Sequence, residues 1–181
     1  MYQFVYTTYS IPFIKQNHSF LYTLQEKAFE RDISTNQCIC QQPMLADPYE
    51  DLFVYVDESL IPDAGQGLFA KVDIEADTVI AFYNGTRFTK NDALINEDSP
   101  YKIYLDDKFD LDIPDDMMST SQYKATLGHK VCHSFRPNCE LDNFDHPRFG
   151  PIKCIVTLRP IAKDDELTAH YEYILAVAPS W

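Results

Sequence analysis

Two histidines and two cysteines stand within the stretch GHKVCHSFRPNCE, residues 128–140: His129, Cys132, His133 and Cys139. Zinc prefers these residue types, and a histidine beside a cysteine can generate a thiolate nucleophile. The spacing suits neither use. On an extended chain Cys132 and His133 point to opposite faces, no Cys-x-x-Cys pair is present, and Cys38 with Cys40 is too short a spacing for a zinc knuckle. No metal site is expected, and sequence neighbours rarely meet with the geometry a Cys–His pair needs. Taken alone, the stretch reads as buried thiols and hydrogen-bonded histidines packing a turn. Three other segments could also do chemistry. AGQGLF, residues 64–69, offers a Gly-x-Gly turn that lets a ligand approach the main chain, or simply a tight turn between strands. FYNG, residues 82–85, sets Tyr83 against a turn. ELTAHYEY, residues 166–173, puts Tyr171 and Tyr173 on one strand face, a spacing common in cores as well as in sites.

The elements that must hold these residues read mostly as β. VYV, GLFAKV, DTVIAFYNG, KFDLDI (with Phe109, Leu111 and Ile113 on one face), KCIVTL and ELTAHY are short apolar or alternating runs broken by turn signals. One short helix is expected over Ser119–Leu127, capped by Ser or Thr and ended by Gly128. Residues 20–33 fit a helix or a strand. The segment STNQCICQQPMLADPYED, residues 34–51, reads as a turn-rich connector in which Pro43, Asp47 and Pro48 oppose regular structure. Strands spaced this closely predict a mainly β fold with antiparallel pairs, long connections and few short helices.

A chain of 181 residues supports one well-buried core. Hydrophobic content of 45%, with 12 Phe and 12 Tyr, excludes a disordered chain, and no apolar run approaches the length of a membrane span. The amino terminus lacks the basic start and apolar stretch of a secretory signal, so secretion is not expected. Five cysteines at irregular spacing predict reduced thiols. A net charge of −13 disfavours nucleic acid and favours encounter with a cationic partner such as a lysine-rich protein tail.

Taken in order, GQGLFAK, FYNG, GHKVCHSFRPNC and DELTAHYEY form a signature that resembles the SET-domain protein-lysine methyltransferases. DPYE, YVDESLI, LGHK and HPRFGPIKCI extend it, and within the family the chain is similar to the histone H3 lysine monomethyltransferases that carry MORN repeats. The resemblance implies a β-clip-like fold of several small antiparallel sheets around a knot-like carboxyl-terminal segment. It implies S-adenosylmethionine as cofactor on one face, with a substrate lysine entering from the other through an aromatic channel. The expected partition is a divergent flanking region at 1–50, the catalytic domain at 51–174 and a truncated segment at 175–181. The expected protein is a monomer in the nucleus, and also in the cytoplasm, that meets a basic histone or non-histone tail and neither nucleic acid nor membrane.

Residue by residue, the resemblance assigns Ala64, Gly65, Gln66, Gly67, Cys132 and His133 to the cofactor. Tyr83, Tyr171 and Tyr173 become channel tyrosines, with His129 supporting them. Lys102, Ile103, Tyr104 and Leu105 become a sheet edge for an extended peptide, beside Tyr83, Leu141 and Tyr173. The pattern is broken at several points. Most SET domains carry Asn where this chain has Cys132, and a thiol cannot replace an amide's donor and acceptor pair. The subfamily has tyrosine where Leu141 aligns, so methylation beyond one group is expected. The first 64 residues have no glycine, unlike MORN repeats, and YILAVAPSW stops where the subfamily continues into a covering helix. These departures support a second reading, a degenerate SET domain that binds a lysine-containing peptide without transfer.

Overall fold

The computed structural model describes residues 30–90 and 99–171. Among these residues one α-helix, α1 (Glu50–Phe53), precedes ten strands: β1 (Val54–Glu58), β2 (Gln66–Ala70), β3 (Val79–Tyr83), β4 (Thr86–Thr89), β5 (Ile103–Tyr104), β6 (Phe109–Asp112), β7 (Cys132–His133), β8 (Cys139–His146), β9 (Gly150–Thr157) and β10 (Glu166–Ala169). The fold is mainly β, as expected. Seven strands form one sheet in the order β1-β2-β10-β8-β9-β3, with β7 also paired to β10, and β4-β6-β5 form a second.

The last strand lies in the middle of the large sheet. β10 runs antiparallel to β2, with Leu167 opposite Leu68, and parallel to β7, with Thr168 opposite Cys132 and Ala169 opposite His133. A parallel neighbour cannot be reached by a tight hairpin. The long chain between them carries β8 and β9, an antiparallel pair running from Cys139↔Thr157 to His146↔Gly150. Their turn spans three residues, and Gly150 takes φ +72°, the left-handed step such a turn requires. Strand β3, VIAFY, is buried along its whole length. It separates two apolar clusters, one around Phe82, Tyr123, Phe149 and Ile152, the other around Leu68, Ile80, Ile155 and Leu167.

The connector before α1 is a packed part of this structure. Ile39, Cys40 and Tyr49 belong to the first cluster. Buried Arg148, in the β8–β9 turn, donates to the carbonyls of Leu45 (2.6 Å) and Gln42 (2.7 Å) and pairs with Asp32 at 3.1 Å. Asp32 in turn accepts the N–H groups of Gln41 (2.7 Å) and Gln42 (3.3 Å). Buried His146 meets Asp47 at 3.1 Å, and Asp47 also accepts the N–H groups of Tyr49 and Glu50 as α1 begins.

Two readings of the sequence are corrected. Residues 119–127 form turns, not a helix, because Tyr123, Ala125, Thr126 and Leu127 are buried in near succession and leave no amphipathic face. Lys124 N–H bonds instead to Pro43 across the molecule at 2.9 Å. Gly128 ends no helix and opens a 3₁₀ turn, Gly128–Lys130. Tyr171 follows β10 rather than lying in it, and Tyr173 lies outside the described residues, as do residues 20–29 and 175–181.

Removing one partner of a buried ion pair strands the other charge. Asp32→Ala is therefore expected to destabilise the fold by about 3 kcal/mol, read as a lower urea midpoint at unchanged slope. A loss within the noise of the extrapolation would show that the connector is held without this pair.

Candidate active site

Backbone proximity assembles the site. The Cβ that Gly128 lacks would lie 2.5 Å from the Phe82 carbonyl oxygen and 3.0 Å from Tyr83 N, so only glycine lets the LGHK segment press against this peptide. Asn84 N–H donates to Thr126 Oγ1 at 3.2 Å, continuing the seam. His129 is thereby set among tyrosines. Ring centroids of Tyr83 and Tyr101 lie 6.4 Å from its own, and that of Tyr123 lies 5.5 Å away.

Burial governs the electrostatics of this cluster. His129 is 4% exposed, and neither ring nitrogen has a hydrogen-bond partner of normal geometry among the described residues. Desolvation, aided by the charge of Lys130, lowers its pKa to about 3, so the imidazole is neutral at physiological pH. Tyr83 is shifted well above the usual tyrosine range by desolvation, then by its neighbours Tyr171, Asp112, Tyr101 and Tyr123. Its hydroxyl stays protonated and donates to the Tyr101 carbonyl at 2.6 Å. The Tyr171 hydroxyl donates to the Val131 carbonyl. Both hydroxyl protons are thus used on main-chain acceptors, which leaves the two oxygens able to accept from a third group.

The expected cofactor residues lie on the β2 turn and on β7, which flank β10. Gly65 takes φ +73°, and a Cβ there would meet nothing within 4 Å, so the turn exposes its main chain. Gly67 is tighter, since a Cβ would stand 2.5 Å from Glu166 Oε1. That carboxylate accepts the Ser59 hydroxyl (2.6 Å) and the Leu60 N–H (3.0 Å) and so holds the chain leading into Ala64–Gly67. The Cys132 thiol lies 3.6 Å from Ser59 Oγ and 3.8 Å from the Gln66 carbonyl, so the turn lies beside β7. His133 is half-buried, and its Nδ1 accepts the Tyr171 N–H at 3.0 Å. Tyr171 therefore links β7 to the tyrosine side.

The remaining expected residues flank the cluster. Ile103 and Tyr104 form β5 at the edge of the small sheet, next to Tyr101; Leu105 is buried. Leu141 faces Ile155 across β8–β9 and packs against both apolar clusters. Tyr101 and Tyr123 were not singled out in the sequence, because neither stands in a segment with a chemical pattern of its own. Among the described residues no group of three or more His, Cys, Asp or Glu is arranged to hold a metal, and all five cysteines are free thiols.

Comparison with known proteins gives two findings. A family model described as the SET domain matches residues 65–172. A histone-lysine N-methyltransferase SETD7 from Halocynthia roretzi is 48% identical over 151 residues, covering 82% of this chain. The chain spans 39% of that relative's length.

The buried neutral histidine has a thermodynamic signature. Below pH 6.5 the unfolded chain takes up a proton that folded His129 refuses until about pH 3. Stability must therefore fall with acidity in that window, by up to about 1.4 kcal/mol per pH unit from this group. In His129→Phe the slope of unfolding free energy between pH 6.5 and 4.5 is expected to flatten accordingly. An unchanged slope in denaturant titrations would place a charged or exposed histidine at 129.

Proposed function

This chain belongs to the SET-domain family, and from that premise we propose that it transfers a methyl group from S-adenosylmethionine to the side-chain amine of a protein lysine. The observation that supports this most is the convergence of Tyr171 with buried Tyr83 and His129, Tyr171 being bonded to His133, whose neighbour Cys132 lies 3.8 Å from the Gln66 carbonyl of the open glycine turn. The residues present suit the cofactor. Gly65 has open space where a side chain would stand, and the turn lies against β7. Ala64, Gly65, Gln66 and Gly67, with the main chain of Cys132 and His133, would hold it. When bound, S-adenosylmethionine supplies the methyl group and a positive sulfonium that disfavours a charged lysine nearby, by roughly 4 kcal/mol at 4 Å in an intermediate dielectric.

The chain's own residues do the rest. A lysine must be neutral to attack, and the desolvation that lowers His129 acts in the same direction on an ammonium. The Tyr83 and Tyr171 oxygens, their protons donated to Tyr101 and Val131, can accept from the amine N–H groups and orient its lone pair. Tyr173 would complete the channel. No dedicated base is needed. The acidic chain suits a basic substrate tail, and β5, carried with Lys102 and Leu105, supplies an edge for an extended peptide. We place the chain with the MORN-repeat H3 lysine methyltransferases, acting in the nucleus, with residues 51–174 as the catalytic unit.

Calorimetry is expected to detect saturable S-adenosylmethionine binding, and mass spectrometry methyl transfer to a lysine-rich peptide. Saturable peptide binding without cofactor binding would instead make this a peptide-binding SET domain. Leu141 sets a finer outcome, because it lacks the hydroxyl that the subfamily's tyrosine places near the amine. Dimethyl-lysine is expected from the wild type and monomethyl-lysine alone from Leu141→Tyr. A wild-type product limited to the monomethyl species would refute this assignment of Leu141.

A further inference from the structure

Glu50 stands outside the stretch matched by the SET-domain model, yet its carboxyl reaches both halves of the tyrosine cluster. It is 1% exposed. A single oxygen, Oε1, accepts the N–H of Phe82 at 2.6 Å and the N–H of Leu127 at 2.9 Å. Phe82 immediately precedes Tyr83, and Leu127 lies two residues before His129. The same two segments are in contact through Gly128, whose missing Cβ would collide with the Phe82–Tyr83 peptide. One carboxyl oxygen and one glycine therefore join β3 to the 3₁₀ turn. Glu50 is itself held, since Asp47 accepts its N–H and the Tyr49 hydroxyl bonds the Val79 carbonyl at 2.7 Å.

We propose that Glu50 is a positioning residue for lysine methylation, fixing Tyr83 against His129 by bridging the two backbone segments that carry them. The kinetic part of this inference rests on the methyl-transfer reading; the bridge itself does not. The second oxygen, Oε2, has no hydrogen-bond partner among the described residues. Burial, reinforced by Asp47, holds the carboxyl well above the usual carboxylate range. A neutral acid still presents a carbonyl acceptor to both N–H groups, and so does a carboxamide. The bridge thus needs the shape and acceptor of Glu50, not a negative charge.

The test compares three variants with the wild-type chain. Glu50→Gln keeps the acceptor and is expected to retain kcat within about threefold. Glu50→Met matches the volume but removes the acceptor, and kcat on a lysine peptide is expected to fall by about 100-fold while S-adenosylmethionine affinity is unchanged. Amide exchange gives a readout independent of turnover: Phe82 and Leu127 should lose protection in Glu50→Met and keep it in Glu50→Gln, and the His129 ring resonances should move only in the former. If Glu50→Met does not fold, Glu50→Asp, which withdraws the oxygen by one methylene, is expected to show the same pattern. Unchanged kcat in the variants lacking the acceptor, or equal losses in Glu50→Gln, would overturn the proposal. A wild type that transfers no methyl group would defeat the methyl-transfer reading instead; the exchange and ring signals would then still decide whether Glu50 sets the geometry.

Discussion

The site depends on how β10 is satisfied inside the sheet, and one carboxamide does much of that. Asn138 Nδ2 donates to the Glu166 carbonyl at 2.8 Å, and its Oδ1 accepts the Thr168 N–H at 2.8 Å. Its own N–H reaches the Thr168 carbonyl, while Leu158 N–H bonds its carbonyl. A side-chain amide carries a donor and an acceptor in one plane, as a peptide does, so Asn138 substitutes for a length of ladder that β7 and β8 are too far apart to supply. Without it, the half-buried Glu166 carbonyl and Thr168 N–H would lose these partners, each loss costing about 1 kcal/mol. With β10 fixed, β2 and its turn lie on one side, β7 on the other, and Tyr171 emerges at the end against His133.

Two acidic side chains then adjust the two halves. Glu166 collects Ser59 and Leu60 on the turn side, where the surroundings are partly open. Glu50 collects Phe82 and Leu127 on the tyrosine side, where burial is complete. The difference in environment matters more than the shared residue type. Glu166 holds its partners beside solvent, whereas the buried Glu50 carboxyl is pushed toward its neutral form and acts as a fixed acceptor. On the proposed reading, an amine placed on the tyrosine side meets acceptors already oriented by their own hydrogen bonds rather than adaptable solvent.

The sequence made the strands with strong apolar patterns legible. VIAFY, FDLD with Leu111, and GLFA all appear as strands, and the ordered segments carrying the resemblance do converge around one centre. Strand β8 escaped notice because CELDNFDH puts Asp142, Asn143 and Asp145 where strand propensity is poor; its pairing with β9 overrides that preference. α1 was hidden inside a connector whose prolines argued against helix, although Asp47 is placed to start one. The false helix at 119–127 came from reading Ser and Gly as caps, when consecutive burial and a bond to Pro43 decide that segment. Glu50 and Tyr123 act through contacts 32 or more residues away for Glu50 and through ring packing for Tyr123, and local pattern carries no trace of either.

The same physics settles the cysteines. A nucleophilic thiol needs its pKa lowered by nearby positive charge. Burial does the opposite here, raising Cys139 and Cys154 to about 12 and Cys40 to about 11. Cys132 is also raised, desolvation outweighing the Ser59 hydrogen bond and the Lys130 charge that oppose it. It is a neutral thiol whose weak contacts reach Ser59 Oγ and the Gln66 carbonyl. An amide at this position could donate and accept at once, and a thiol gives one weak donor. What holds the turn near β7 is consequently the sheet itself: β10 pairs with β2 through Leu68 and with β7 through the backbone of Cys132 and His133. A side-chain change at 132 leaves that ladder intact, because its hydrogen bonds are made by main-chain groups that every residue except proline provides.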